Sequence, residues 1–362
     1  MAATQRSTFA ARGGPADDAG AREDRIGVGR AHGKAILLGE HAVVYGAPAL
    51  ALPVPQLPVT ANATRHHGAR EGEEKVAFAV TGPGSAVVTP LATEGLRRLV
   101  AEFKARTGVA GRMCVDVLID CAIPQGRGLG SSAACARAAV LALADLHERR
   151  LDARTVFDLV QVSEKVAHGR ASGIDAVATG SASLLLFRSG TVQELPVPSA
   201  GGDRLRPAEQ PDGRTGDFGG LFVIADSGVS GSTREAVDLL RRRFERDAGT
   251  RTTFISRVTD LTHAAASALA HGRPDEFGTR MTENHELLHD AGLSTDRIDA
   301  LVGSALAAGG LGAKISGGGL GGCMIALAGE PDQAEEVVRS LREAGSVRTW
   351  VVPVGRFARH AD

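Results

Sequence analysis

Along the chain, the spacing of apolar residues switches between short continuous runs and a helical period. The first clear run, Lys34-Ala-Ile-Leu-Leu38, is strand-like and bracketed by Gly33 and Gly39. Val115–Ile119 alternates in part and predicts a second strand, which runs into a loop at Pro124–Gly130. Ser131 to Arg150 is rich in Ala and Leu and holds no Gly or Pro, which predicts a helix of about five turns. Another helix is expected over Thr155–His168, with Val156, Leu159, Val160 and Val166 on one side and Gly169 as its terminator. Strand-like Ala182–Phe187 and Thr191–Leu195 flank a Ser189-Gly190 turn. Further on come a strand at Leu221–Ala225, helical stretches near 233–246, 252–271 and 274–289, and a Gly-rich stretch at 309–322. An apolar run at Cys323–Ala328, a helix near 331–344 and a strand at Thr349–Val354 complete the pattern.

Two stretches carry no period. Residues 1–23 are expected to be a disordered tail, with order beginning near Ile26. Residues 196–220, dense in Pro, Gly and Asp, are the best linker in the chain. Strands and helices mix on both sides of it, so the expected class is α+β or α/β in two domains, 24–195 and 221–356. A length of 362 residues suits two domains.

Composition narrows the function classes. With 41 Lys+Arg against 42 Asp+Glu, the net charge is -1, and aromatic residues make up only 4% of the chain. A near-neutral chain so poor in stacking groups is not expected to bind nucleic acid. No apolar run reaches 18 residues, so no membrane span is expected. The N-terminus lacks the apolar core of a secretion signal. Cys114, Cys121, Cys135 and Cys323 include no CxxC pair and read as small buried hydrophobes in a reducing cytoplasm.

The segment Pro124-Gln-Gly-Arg-Gly-Leu-Gly-Ser-Ser-Ala-Ala134 joins a strand to the strongest helix. Gly126, Gly128 and Gly130 permit backbone angles that side chains forbid and allow close approach to a ligand. At Ser131 and Ser132 the free N–H groups and the positive end of the helix dipole form an anion site. The segment lacks the third glycine of a dinucleotide fingerprint and the lysine of a Walker A loop. A plain Gly-rich turn with a serine cap stays open on this segment alone.

Gly33-Lys-Ala-Ile-Leu-Leu-Gly-Glu-His-Ala-Val-Val-Tyr-Gly46 puts an ammonium at the start of a strand and Glu40 and His41 just after it. This block, 124–134 and 314–323 (Lys-Ile-Ser-Gly-Gly-Gly-Leu-Gly-Gly-Cys) together resemble the small-molecule kinase family that includes galactokinase, homoserine kinase, mevalonate kinase and phosphomevalonate kinase. Gly39–Gly46 and the segment Glu164–Asp175 are most similar to the mevalonate-phosphorylating branch. His32, Ala171, Ala176 and Ser316 depart from the family's more usual Pro, Pro, Asn and Thr.

The resemblance implies an N-terminal domain like ribosomal protein S5, a ferredoxin-like C-terminal domain and an active site between them. It implies transfer of a phosphoryl group from ATP, with Mg²⁺, to the C5 hydroxyl of mevalonate on the route to isoprenoids. The alternative acceptor is another small alcohol or a phosphorylated one such as mevalonate 5-phosphate. By the same resemblance, Pro124, Gly126, Gly128, Leu129, Gly130, Ser131, Ser132, Ala133 and Ala134 would hold the triphosphate. Ser132 and Glu164 would ligate the metal. Asp175 would accept or orient the hydroxyl proton, with Lys34 beside it. Glu40, His41 and Asp175 would line the acceptor pocket, and Ser316, Gly317, Gly318 and Gly319 would close the phosphate site. A homodimer is compatible with the sequence.

Read singly, these residues leave other roles open. Glu164 and His168 form an i,i+4 pair that could be a plain helix-surface contact, and Asp175 could be a turn or cap residue. A catalytically dead binding protein on the same scaffold is the rival from another class, opposed by the joint presence of Lys34, Ser132, Glu164 and Asp175. His66-His67, His285 and His289 show no complete zinc set. The run Arg241–Arg243 reads as a solvated helix face.

Overall fold

The computed structural model describes residues 25–65, 75–83, 90–109, 113–169, 171–195, 218–355 and 357–358. The expected tail, His66-His67 and residues 196–217 of the expected linker lie outside them. The N-terminal part holds strands β1 (Gly27–Leu38), β2 (Ala49–Arg65), β3 (Lys75–Thr81), β4 (Cys114–Cys121), β5 (Leu185–Arg188) and β6 (Thr191–Glu194). Its helices are α1 (Pro90–Thr107), α2 (Ser131–Leu146), α3 (Ala153–His168) and the one-turn α4 (Ile174–Ala178). The sheet order is β3-β4-β2-β5-β6, with β1 antiparallel to the long β2.

β2 was not foreseen, because Pro53, Pro55 and Pro58 interrupt the apolar pattern. The register accounts for one of them: His32 pairs with Pro58 and Gly33 with Val54, so residues 55–57 bulge out of the ladder, where the missing N–H of Pro55 costs little, while Pro53 and Pro58 stay opposite Lys34 and His32. β1 alternates burial in its first half and is buried without a break from Gly33 onward. α2 lies directly on it, since a Cβ at Gly29 would meet the Ala138 carbonyl oxygen at 2.0 Å. The alanines of α2 allow this approach, and Ala133, Ala134, Ala136, Ala138, Ala139, Ala142 and Ala144 are all buried. α2 stops at Leu146, four residues before the expected end. Glu148 turns left-handed at φ 53°, and the exposed Glu148, Arg149 and Arg150 have no core to pack against.

The C-terminal part holds β7 (Gly219–Asp226), β8 (Gly312–Ser316), β9 (Cys323–Ala328) and β10 (Arg348–Gly355) in the order β10-β7-β9-β8, all antiparallel. Helices α5 (Thr233–Arg246), α6 (Ala248–Ala270), α7 (Pro274–Asp290) and α8 (Asp296–Ala307) separate β7 from β8, and α9 (Pro331–Glu343) joins β9 to β10. This is the β-α-β-β-α-β pattern of a ferredoxin-like layer. β7 starts at Gly219, inside the expected linker. α8 was not foreseen, and α6 starts four residues earlier than expected because the Asp247 carboxylate caps it by accepting from Gly249 N. The two parts share one core: Phe218, Phe222 and Phe277 stack edge-on at 5.6 and 5.8 Å within the same apolar cluster as Leu57, Leu99 and Leu143. No helix among the described residues is long and apolar enough to cross a membrane.

Candidate active site

Between the two sheets lies a cleft of about 480 Å³, lined from one side by Lys34, Glu40, His41, the 125–133 loop, Glu164 and Asp175. From the other side come Gly231–Arg234 and Gly317–Gly319. The loop Pro124–Gly130 enters it with three left-handed glycines, at φ 67°, 75° and 79° for Gly126, Gly128 and Gly130. Gly130 caps α2. Ala134 N already donates to Gly130 O at 2.9 Å, so the free donors at this helix start are the N–H groups of Ser131, Ser132 and Ala133. Ala134 is therefore spent within the helix rather than available to an anion. Pro124, Leu129 and Ala134 are buried behind the loop and do not line the cleft.

Three charged side chains converge beside this helix start. Lys34 Nζ lies 3.1 Å from Asp175 Oδ1 and donates to Gly128 O at 3.0 Å. Lys34 is 4% exposed and Asp175 32% exposed, so the carboxylate stays reachable from the cleft. Asp175 sits in the first turn of α4. Gly173 is the N-cap, so the capping role is taken and the carboxylate is directed to Lys34. Ser132 Oγ donates to Glu164 Oε1 at 2.6 Å, and His168 Nε2 stands 3.7 Å from Glu164 Oε2. Burial pushes the Glu164 carboxyl above its ordinary range, His168 opposes this, and the nearby Asp175 charge adds to it. The i,i+4 pair with His168 exists, yet Glu164 is buried and bonded to Ser132, so it is no surface pair.

Glu40 and His41 lie at the other end, where the chain enters the 3₁₀ turn Ala42–Tyr45. Glu40 pairs with Lys314 of β8, both nearly or fully buried at 3% and 0% exposure, and Lys314 also donates to Ile315 O at 2.6 Å. Glu40 Oε2 has no hydrogen-bond partner among the described residues. Burial and the Lys314 charge push the His41 imidazole down to about 4, so it is neutral at physiological pH. Removing one partner of a buried pair such as Glu40–Lys314 costs about 3–5 kcal/mol, because the other charge is left uncompensated.

Ser316 differs from its expected place at the phosphate site. Its hydroxyl donates to Ile36 O at 3.0 Å and accepts from Ile36 N at 3.1 Å, clasping β8 to β1. Gly317, Gly318 and Gly319 do line the cleft. A Cβ at Gly317 would stand 2.7 Å from Gly128 Cα, so the two glycine loops meet backbone to backbone. His285 and His289 both face Asp299, at 3.3 and 3.4 Å. Among the described residues no group of three or more His, Cys, Asp or Glu could hold a metal ion. The run Arg241–Arg243 is exposed, as expected, with Arg241 paired to Asp238 and Glu245.

Three cations were missed. Arg127 lies between Gly126 and Gly128 of the glycine loop, Arg234 in the first turn of α5, and Lys314 at the head of the third motif, where it received no role. Arg234 reaches across the cleft and donates to Ala167 O at 2.7 Å.

The arrangement can hold a polyanion on backbone donors and bring a carboxylate and an ammonium to a hydroxyl beside it. Comparison with known proteins agrees. Residues 93–183 match the family described as GHMP kinases N terminal domain, and residues 265–347 match GHMP kinases C terminal. A mevalonate kinase of Pyrococcus abyssi is 30% identical over 89% of this chain and 93% of its own. The chain belongs to the GHMP kinase family. Its fold superposes on L. major mevalonate kinase in complex with R-mevalonate, with TM-score 0.72, 23% identity, and coverage of 93% of this chain and 98% of that one. It also resembles Streptococcus pneumoniae phosphomevalonate kinase, with TM-score 0.69, 16% identity, and coverage of 90% and 99%. The GHMP fold alone therefore leaves the acceptor open, and side chains in the cleft must decide it.

Proposed function

We propose that the protein is a mevalonate kinase, transferring the terminal phosphoryl group of ATP to the C5 hydroxyl of mevalonate. The observation that carries this reading is the Lys34–Asp175 pair standing beside the free N–H groups of α2. One part holds phosphate and the other meets the attacking hydroxyl, within a single cleft. The mevalonate kinase relative, matched over nearly its whole length, supports the acceptor.

The cleft's chemistry fits that acceptor. Val43, Val44, Ile174 and Val237 give it an apolar side suited to a methyl branch. Glu40 Oε2 offers an unused acceptor for a hydroxyl. Arg234, in the first turn of α5, offers a cation for the carboxylate. Asp175 orients the C5 hydroxyl and takes its proton as the bond to phosphorus forms. The Lys34 ammonium stabilises charge on the transferring group. Expected in activity assays is a preference for mevalonate over galactose of roughly 10³-fold or more in kcat/KM, since a hexose would leave its hydroxyls unpaired against the valines. Comparable efficiencies, or faster turnover of mevalonate 5-phosphate, would replace the acceptor.

Mg²⁺ fits the Ser132–Glu164 corner. Two hard oxygens stand there, and the like charge of Asp175 nearby makes a divalent cation favourable. When bound, the ion would neutralise phosphate charge, with Ser132 and Glu164 holding it and phosphate and water supplying the remaining ligands. Glu164→Gln is expected to raise the Mg²⁺ concentration for half-maximal rate roughly tenfold. An unchanged Mg²⁺ titration would remove Glu164 from the metal site.

A further inference from the structure

The glycine loop has no secondary structure of its own, and its three left-handed glycines are the residues that lose most freedom on ordering. It can present N–H groups in a fixed array only if something outside it supplies the rigidity. Two side chains within it do so in opposite directions. Leu129 is 1% exposed in the shared core, and its carbonyl accepts from Lys34 N of β1 at 3.0 Å, which ties it to the N-terminal domain. Arg127 reaches into the C-terminal domain. Its Nε stands 2.9 Å from Asp226 Oδ1 and donates to Oδ2 at 3.1 Å, Nη1 donates to Ser230 Oγ at 2.8 Å, and Nη2 donates to Gly228 O at 3.1 Å. Asp226 ends β7 and is itself buried, with Oδ1 also accepting from Gly228 N at 2.8 Å.

The backbone repeats the attachment. Gly231 N donates to Gly126 O at 3.0 Å, and a Cβ at Gly322 would come within 2.9 Å of Arg127 O. Residues 126–128 are thus held between 228–231 and 316–322. The next carbonyl, Gly128 O, is the one that Lys34 Nζ bonds. The Arg127 guanidinium does not line the cleft and so has no direct path to a phosphate.

We infer that Arg127 is a positioning residue for the nucleotide: by tying the phosphate-binding loop to Asp226 and Ser230 of the other domain, it makes ATP affinity depend on domain docking. The inference rests on the nucleotide half of the proposed function and is independent of the acceptor. An arginine suits the place because one planar fork reaches a carboxylate, a hydroxyl and a carbonyl at once, which a lysine ammonium cannot.

The test is calorimetric titration of the full chain with ATP in Mg²⁺ buffer, together with KM for each substrate. Arg127→Gln combined with Asp226→Asn removes both charges without leaving one buried alone. It is expected to raise the Kd for ATP about tenfold, while the KM for mevalonate stays within about twofold. Arg127→Lys keeps a cation for Asp226 and serves if the double variant does not fold; about a threefold rise in Kd is expected. Wild-type ATP affinity in either folded variant overturns the inference. So does an equal loss for both substrates, which is what general loosening would produce. If the wild type binds ATP but phosphorylates a different acceptor, the mevalonate reading fails while the ATP titrations still decide the role of Arg127.

Discussion

Asp175→Asn is expected to lower kcat by roughly 10²–10⁴-fold, the usual range for removing an acid–base group, with ATP affinity nearly unchanged. The substitution keeps the size of the side chain and an acceptor oxygen that Lys34 Nζ, at 3.1 Å, can still reach. What it removes is the negative charge proposed to draw the hydroxyl proton. The N–H groups proposed to hold phosphate belong to Ser131, Ser132 and Ala133, none of which bonds Asp175, so nucleotide binding should persist. There is a second consequence. The Asp175 charge helps push the Glu164 carboxyl upward, so its removal should ease ionisation of Glu164 and extend metal binding to lower pH. Single-turnover kinetics with saturating ATP separate the chemical step from binding. A loss within about threefold would show that the carboxylate neither orients nor accepts the proton. Loss of ATP binding as well would make Asp175 a structural or metal-supporting group.

What the chain alone made legible was local. The Gly126–Gly130 spacing before an Ala-rich helix is a backbone property, written in residues that are neighbours in sequence. That Lys34, Glu164 and Asp175 meet was implied only by resemblance, because no periodicity relates a strand near residue 34 to helices some 130–140 residues later. The interdomain contacts were invisible for the same reason. Lys314 and Glu40 are 274 residues apart, and each reads alone as a solvated charge. Arg127 and Asp226 are 99 apart, and nothing about Arg127 separates it from the other abundant arginines. β2 was hidden by its own chemistry, since its prolines break the apolar pattern around a bulge at 55–57 that only the partner strand β1 discloses. Ser316, beside Gly317–Gly319, was expected at the phosphate site by resemblance. Its hydroxyl is instead committed to both backbone groups of Ile36. Spacing could suggest where a ligand is approached, but not which polar groups the fold had already used.

Gly130→Val should abolish detectable ATP binding, a loss of at least about 100-fold or 2.7 kcal/mol, while the protein remains folded. Gly130 has φ 79°, which a β-branched residue adopts only under strain. Its added Cβ would lie 2.9 Å from Lys34 Cγ, 3.1 Å from Lys34 Cε and 3.2 Å from Thr179 Cγ2. Lys34 cannot swing aside without leaving Asp175 and Gly128 O, and Thr179 is fully buried. The accommodating movement must therefore come from the loop and the start of α2, where the proposed phosphate donors are, or from Lys34 itself. Movement of the loop displaces the proposed phosphate donors, and movement of Lys34 breaks its bond to Gly128 O in the same loop, so either way the proposed anion cradle is disturbed. Backbone strain of about 1–3 kcal/mol is small against the usual stability of a folded domain, about 5–15 kcal/mol, so cooperative unfolding should survive. Gly190→Val is the control. It carries the same kind of strain, at φ 85° in the β5–β6 turn, with nothing within 4 Å of its Cβ. Calorimetry with ATP on both variants separates strain from position. If Gly130→Val bound ATP as well as Gly190→Val does, the phosphate would have to be held somewhere other than the start of α2.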